Sequence, residues 1–563
     1  MPPPAQVANL DIKAPTVGHN GYQGFNPRTE TLPKGWNGFN SRALSEDLIV
    51  QHDVAICVRD GCTLYCDIYR PVTEEKVPAI VAWSPFGKKH NGINMMKKVR
   101  WGVGVPDGCL SGLERFEGPD PAEYCPQGFA VVNVDARGAG DSEGSIVIMG
   151  SQEGEDGHDV IEALAKMSWC NGNLGLAAPW EACGDLYREQ FVRGGAWDNG
   201  LFDLITRETI RGKHGLEDFK EMFRRSQTIN PYWADKRAKI SKIQIPTYVV
   251  ASYSSFVHTM GSVRGWLELD TPDKWLRWDP YQEWYDLWVE KESRDELASF
   301  FSKYLRGEDN GWEKTPRVRM ASLNYGNTAP EYPIVVDNFP LPNTEYRELF
   351  FTQDRSLASQ VPVKQTTLSY NSESKSDPVE NVGFTYTFSH KARLMGLPKA
   401  MLHMSCDDLD DMIIYVLIRK LDKQGKEMIN VNIPLSAAPY SKVEDIPQDE
   451  YSNLTIYYGP TGILRASHRQ VDQSKSIHPQ YPFHTHSEVQ KVPPGTIVEL
   501  EIGLWAMGID FEAGESLRVQ VSGEYPLIQE SKYAKVELEA RNKGTHKLHL
   551  GGKYPSRIIL PFV

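Results

Sequence analysis

The chain has 563 residues, enough for two or three domains, and its 40% hydrophobic and 24% charged residues suit a soluble protein that buries a large core. A formal net charge of -13 argues against a nucleic-acid partner, because an acidic surface repels phosphate backbones. No apolar run reaches the length of a membrane span, so no membrane partner is expected. The start, Met1-Pro2-Pro3-Pro4-Ala5, has no basic head followed by an apolar stretch, which predicts a reducing, cytoplasmic location. The eight cysteines (57, 62, 66, 109, 125, 170, 183 and 406) show no CxxC or zinc spacing, so no disulfide framework, metal or cofactor is implied.

Residues 1–45 are rich in Pro, Gly and Asn and read as an extended N-terminal arm. Residues 54–58 and 64–69 flank a turn at Arg59-Asp60-Gly61 and read as an antiparallel hairpin. Short apolar runs at 79–83, 130–134, 174–177 and 247–251 suit strands buried on both faces of a parallel sheet. A helix is predicted over 158–167, with Val160, Ile161, Leu164 and Met167 on one face. The alternation predicts an α/β core over 46–180 and 243–340. Residues 181–242, rich in Arg, Glu, Phe and Gly and helical near 216–225, interrupt it and read as a helical cap. From 341 to 563 the chain is a series of strands (346–351, 383–388, 399–406, 412–421, 497–502 and 516–522) divided by Gly, Pro, Asn and Asp, which predicts an all-β jelly-roll domain.

Gly140-Asp141-Ser142-Glu143-Gly144 matches GxSxG. That motif works only on a strand–turn–helix corner, and Ser145-Ile146-Val147-Ile148 opens no helix, so Ser142 is read as part of a Gly-rich loop rather than as a nucleophile. Lys88-Lys89-His90 reads as a charged loop edge. Asp407, Asp408, Asp410 and Asp411 read as a solvated turn rather than a calcium site.

Several stretches carry a family likeness. They are Arg59-Asp60-Gly61-Cys62-Thr63-Leu64-Tyr65-Cys66-Asp67-Ile68-Tyr69-Arg70-Pro71, the loop from Asp135-Ala136-Arg137 to Gly144, Trp169-Cys170-Asn171-Gly172-Asn173-Leu174-Gly175, Gly462-Ile463-Leu464-Arg465-Ala466-Ser467-His468-Arg469 and Phe511-Glu512-Ala513-Gly514-Glu515-Ser516-Leu517-Arg518. From about residue 50 onward the chain resembles the CocE/NonD hydrolases, the group of cocaine esterase, α-amino-acid ester hydrolases and X-prolyl dipeptidyl-peptidases. The resemblance implies an α/β-hydrolase core with a helical cap and a jelly roll, and a serine acyl-enzyme route that cleaves ester or amide bonds of a small molecule or peptide.

The resemblance also implies departures. In the family the Asn-Gly-x-x-Gly strand leads into Gly-x-Ser-x, with the serine as nucleophile, then a helix, then a strand ending Ala-Pro-Trp-Glu. Here Leu174-Gly175-Leu176-Ala177 runs straight into Ala178-Pro179-Trp180-Glu181. Two parallel strands cannot be joined without a crossover of about a dozen residues. The position matching the family acid is Ser255, the one matching its histidine is Asp279, and the one matching its oxyanion tyrosine is Phe86. Serine cannot hold an imidazole by charge, and phenylalanine offers no oxyanion donor. Trp83, Phe86, Tyr253 and Trp284 are the expected substrate-binding residues, around Asp279 and Ser255 as candidate catalytic positions. The expectation is a hydrolase that lacks its serine segment and matching triad. The alternative is a non-hydrolytic small-molecule-binding or biosynthetic relative with a degenerate site. A small molecule is the expected partner, and assembly into a homo-oligomer is compatible with the sequence. His258, three residues past Ser255, is a further group within range of the pocket.

Overall fold

In a computed structural model of the chain, the described residues are 6–197, 209–255, 257–372, 381–524 and 544–563. The hairpin predicted around Gly61 forms strands β2 (Leu48–Cys57) and β3 (Thr63–Pro71), and β1 (Arg28–Leu32) adds to β2 as an antiparallel edge. The later part of the N-terminal arm is therefore a member of the core sheet: Leu32 and Val50 bury their side chains in the same apolar cluster. Strands β4 (Ala79–Ser84) and β5 (Ala130–Asp135) pair in parallel, giving the order β1-β2-β3-β5-β4.

A second sheet holds β6 (Thr247–Ser252), β7 (Lys274–Asp279), β8 (Val318–Ser322) and β9 (Glu331–Val336), with β6, β7 and β8 parallel. Helices α1 (Ser151–Ala165) and α2 (Lys291–Arg306) flank the two sheets; α1 begins earlier than its apolar stripe predicts, with buried Val160 and Leu164 facing inward. The helix expected near 216–225 starts only at Phe219. Asp218 caps it by accepting from the Glu221 N–H, while Leu216–Glu217 pairs instead with Asn9–Leu10.

After residue 340 the chain builds a β domain of two antiparallel sheets, one containing Lys399–Cys406 and Arg557–Phe562, the other Ile413–Leu421 and Ser516–Ser522. Both sheets contribute to one buried cluster that runs on through Val249, Trp278 and Leu323 of the α/β core. The two halves therefore share a hydrophobic interior.

The strand predicted over 174–177 does not form. Cys170 makes one parallel bridge to Val77, and Ala177 and Trp180 make parallel bridges to Thr247 and Val250. A single connecting segment thus touches β4 at its start and then crosses to the edge of β6. Among the described residues no strand pairs with the outer edge of β4.

Candidate active site

The loops after β4 and β5 form the upper rim of the site. The β2–β3 pairing has a bulge between Gln51 and Val54 that turns Asp53 (φ +53°) inward. There it meets Lys88, whose Nζ lies 3.0 Å from Asp53, 2.8 Å from Asp135 and 3.5 Å from Asp141. Gly140, at φ +56°, lets the chain pass close to Asp135: a Cβ there would lie 2.4 Å from Asp135 Oδ2. Lys88 is 2% exposed, so the stretch read as a charged loop edge is instead the hub of a buried ionic cluster. Ser142 is fully buried; its hydroxyl donates to the Asp135 carbonyl and accepts from the Tyr65 N–H, a structural role. The acidic turn is tied up by ion pairs, among them Arg465–Asp411 and Lys491–Asp410. No metal-ligating cluster occurs among the described residues.

A cavity of about 1020 Å³ fills the space between the two sheets. Ile80, Val81, Ala82 and Trp83 of β4 line one side, Leu176 and Trp180 the other, and α1 and α2 close the two faces. It lies where a strand pairing with both β4 and β6 would complete one continuous sheet. Arg115 and Glu117 also line it; burial pushes the Glu117 carboxyl up to about 7, against the pull of Arg115.

Trp83 lines this cavity and donates through Nε1 to Glu153 at 2.8 Å. Phe86, Phe116 and Trp284 form a continuous aromatic wall, with ring centroids 5.3 and 5.1 Å apart, and Trp284 Nε1 donates to Glu117. Tyr253 stands apart: it stacks on Trp278 and faces Gly508 of the β domain, in a separate small recess with Trp505. Asp279 is buried and bound by the Arg277 guanidinium. Strand pairing sets Asp279 opposite Ser252, and Ser255 follows, half-buried, with its hydroxyl accepting from the His258 N–H at 3.2 Å.

Other groups gather here that the motifs do not reveal. Glu181, which follows Trp180, and Glu283 are both buried, and burial raises both carboxyls. Their proximity pushes Glu283 further up. Cys183, two residues on, packs against the apolar cluster that Trp83 and Phe86 border. Its Sγ lies 3.4 Å from His258 Nδ1 and accepts from Gln190 Nε2 at 3.1 Å. In sequence Cys183 is one of eight scattered thiols and Gln190 sits in a segment with no motif, so neither gave a signal. His258 alone was legible, through its spacing from Ser255.

Parallel pairing of β4 with β5 and of β6, β7 and β8, helices against both sheets, a site beside the carboxyl ends of β4 and β5 and an appended β domain define an α/β-hydrolase-type protein. Residues 60–178 match the X-Pro dipeptidyl-peptidase (S15 family), and residues 310–559 match the X-Pro dipeptidyl-peptidase C-terminal non-catalytic domain. Cocaine esterase from Rhodococcus sp. (strain MB1 Bresler) is 21% identical over 91% of this chain and 98% of its own length. The crystal structure of a CocE/NonD family hydrolase from Staphylococcus aureus superposes with a TM-score of 0.83, at 28% identity, covering 97% of this chain and 99% of that one. An aminopeptidase from the marine sediment archaeon Thaumarchaeota archaeon shares the fold at a TM-score of 0.63 and 14% identity, over 90% and 95% of the two chains. The chain belongs to the CocE/NonD hydrolases.

Proposed function

We propose that this protein cleaves an ester or amide bond of a small apolar or aromatic acyl compound, and does so without the serine its relatives use. The observation that carries the reading is the cavity that runs along the free edge of β4 from Ala79 to Trp83 and reaches Glu117, which opens a ligand-sized space leading to the carboxyl end of the strand, where open α/β sheets bind ligands. The junction Ala177-Ala178 supports the missing serine segment: the S15 match ends at residue 178, and the cavity occupies the place of the absent strand. On this reading residues 181–242 cap the site and the β domain is a jelly roll. Trp83 walls the acyl pocket, and the aromatic row Phe86, Phe116 and Trp284 borders it through the Trp284–Glu117 hydrogen bond. Tyr253 secures the β domain, Asp279 is held by Arg277, and Ser255 fixes the start of the following helix through the His258 backbone. The protein works on free small molecules in the cytoplasm, apart from nucleic acid and membranes; no helix among the described residues is long and apolar enough to cross a membrane.

Incubation of the full chain with p-nitrophenyl acetate and butyrate, in parallel with a fluorophosphonate probe, tests this. Saturable release of p-nitrophenol with no labelled serine is expected. No turnover of any ester would overturn the hydrolase reading, and stoichiometric labelling of a serine would overturn the missing-nucleophile part.

A further inference from the structure

A hydrolase without the family serine needs another attacking group. Among the thiols, Cys57, Cys62, Cys66 and Cys109 donate to backbone carbonyls, as buried or idle thiols do. Cys183 is different: it faces a histidine ring nitrogen at 3.4 Å and receives an amide N–H at 3.1 Å. A nucleophile in contact with a base is the pairing that covalent acyl transfer uses, and Cys183 packs on the same apolar cluster as the cavity-lining Trp83. Three features hold the pair in place. Cys183 follows Glu181, whose N–H donates to the Val250 carbonyl and so fastens the segment to the edge of β6. His258 begins the helix Thr259–Glu268, and its N–H is fixed by the Ser255 hydroxyl. Gln190 is 3% exposed and bridges the two, donating to Cys183 Sγ and to the Val257 carbonyl, while its own Oε1 is buried without a hydrogen-bond partner. Cys183 and His258 both remain half-buried rather than sealed, although Ser252, Ser254 and Thr259 around them are buried.

Resting on the hydrolase reading, we propose that Cys183 is the nucleophile and His258 the general base of a thiol acyl-transfer site. His258 Nδ1 takes the proton from Cys183 Sγ as the sulfur attacks the carbonyl carbon of the ester, and the carbonyl electron pair moves to oxygen. The tetrahedral adduct collapses to a thioester, and the departing alkoxide takes the proton from Nδ1. Water then attacks the thioester, giving its proton to Nδ1; the sulfur leaves and recovers that proton. The sum is ester plus water to acid plus alcohol. The Gln190 N–H steadies the sulfur whenever it carries negative charge.

Burial pushes the thiol up and the imidazole down to about 4. The resting pair is therefore a neutral thiol and a neutral imidazole rather than a thiolate–imidazolium pair. Proton transfer is then concerted with attack, and His258 stays unprotonated above about pH 4.

The test uses the full chain, p-nitrophenyl acetate, rapid quench and peptide mapping. A burst of p-nitrophenol with a hydroxylamine-labile acetyl group on the peptide carrying Cys183 is expected. Cys183→Ala should abolish the burst and lower kcat/KM at least a hundredfold, and His258→Gln should lower kcat by about 10²–10⁴-fold with KM little changed. Cys57→Ser, at an exposed thiol, should behave as the parent. Adduct mapping on the unsubstituted protein decides the matter even if Cys183→Ala fails to fold. An acyl group on any other residue, or a burst that survives Cys183→Ala, overturns the assignment while leaving the hydrolase reading intact. Absence of ester turnover in the unsubstituted protein removes both.

Discussion

Lys88 shows how a single residue organises the upper rim of the site. Its ammonium group is paired with three carboxylates that are themselves 3% exposed or less, and burial opposed by those charges leaves it firmly protonated. Removing one partner of a buried ion cluster leaves uncompensated charge and costs about 3–5 kcal/mol. Lys88→Met should therefore lower the urea midpoint by that equivalent with an unchanged slope, whereas replacing exposed Lys166 by Met should shift it little. A midpoint unmoved in Lys88→Met would show that the cluster is not the anchor described. In the sequence Lys88 reads as a loop edge because its burial is created by two distant backbone features, the bulge at Asp53 and the close turn at Gly140. Cys183 was illegible for a similar reason: its partners come from the π-helical turn Leu186–Phe191 and the start of the helix Thr259–Glu268, which the chain brings together only in three dimensions.

At the level of elements, the strands that form where expected are those whose apolar pattern and turn residues agree, such as Lys399–Cys406 and Ser516–Ser522. The exception is 174–177. Its apolar run is a fair strand by composition, yet one segment cannot pair along both β4 and β6 without a crossover, and it settles for isolated bridges. The cavity is the consequence, since packed interiors otherwise leave few voids larger than a water molecule. Leucine at Ala82, on the cavity wall, enters empty space, whereas leucine at Ala130, fully buried between β3 and β4, must push neighbours aside. Ala130→Leu should cost about 1–3 kcal/mol, and Ala82→Leu should cost less than about 1 kcal/mol while reducing the binding of an apolar dye. Equal penalties at both positions would show that the space between the sheets is closed in solution. The helix Phe219–Arg225 carries a related lesson: Asp218 is a strong cap, and tertiary pairing with Asn9–Leu10 claims the two residues before it.

The whole molecule is held together partly by histidines at the junction of the 181–242 segment and the β domain. His468 and His486 face each other through their Nδ1 atoms at 3.1 Å, His484 lies beside them, and all three are buried. From the other side Tyr187 packs on His486, Arg188 donates to the His484 carbonyl, and Ile229 donates to the His486 carbonyl. Gly195, at φ +83°, lies so close that a Cβ would be 2.4 Å from the His468 ring. Among the described residues only the Asp411 carboxylate draws a proton toward these rings, while Arg188, Arg465 and Lys491 repel it. Burial accordingly pushes His468 and His484 down to about 4 and His486 further still. Unfolded, each ring takes a proton near its ordinary 6.5; folded, His468 and His484 refuse one until about 4 and His486 is held lower still. The unfolded state thus binds more protons in that window, and stability is full above about pH 6.5 and lost as pH falls toward 4, by at most about 1.4 kcal/mol per histidine per pH unit. His478 and His546 are pushed down to about 4 as well and add to the slope. Urea midpoints measured from pH 7.5 down to 5 should fall steadily for the parent protein. Replacing His468 and His486 together by Asn should lower the midpoint at pH 7.5 yet flatten its dependence on pH, and replacing exposed His158 should change neither. An undiminished slope in the double variant would mean that the junction between core and β domain does not sense the proton, and that acid loosens the molecule elsewhere.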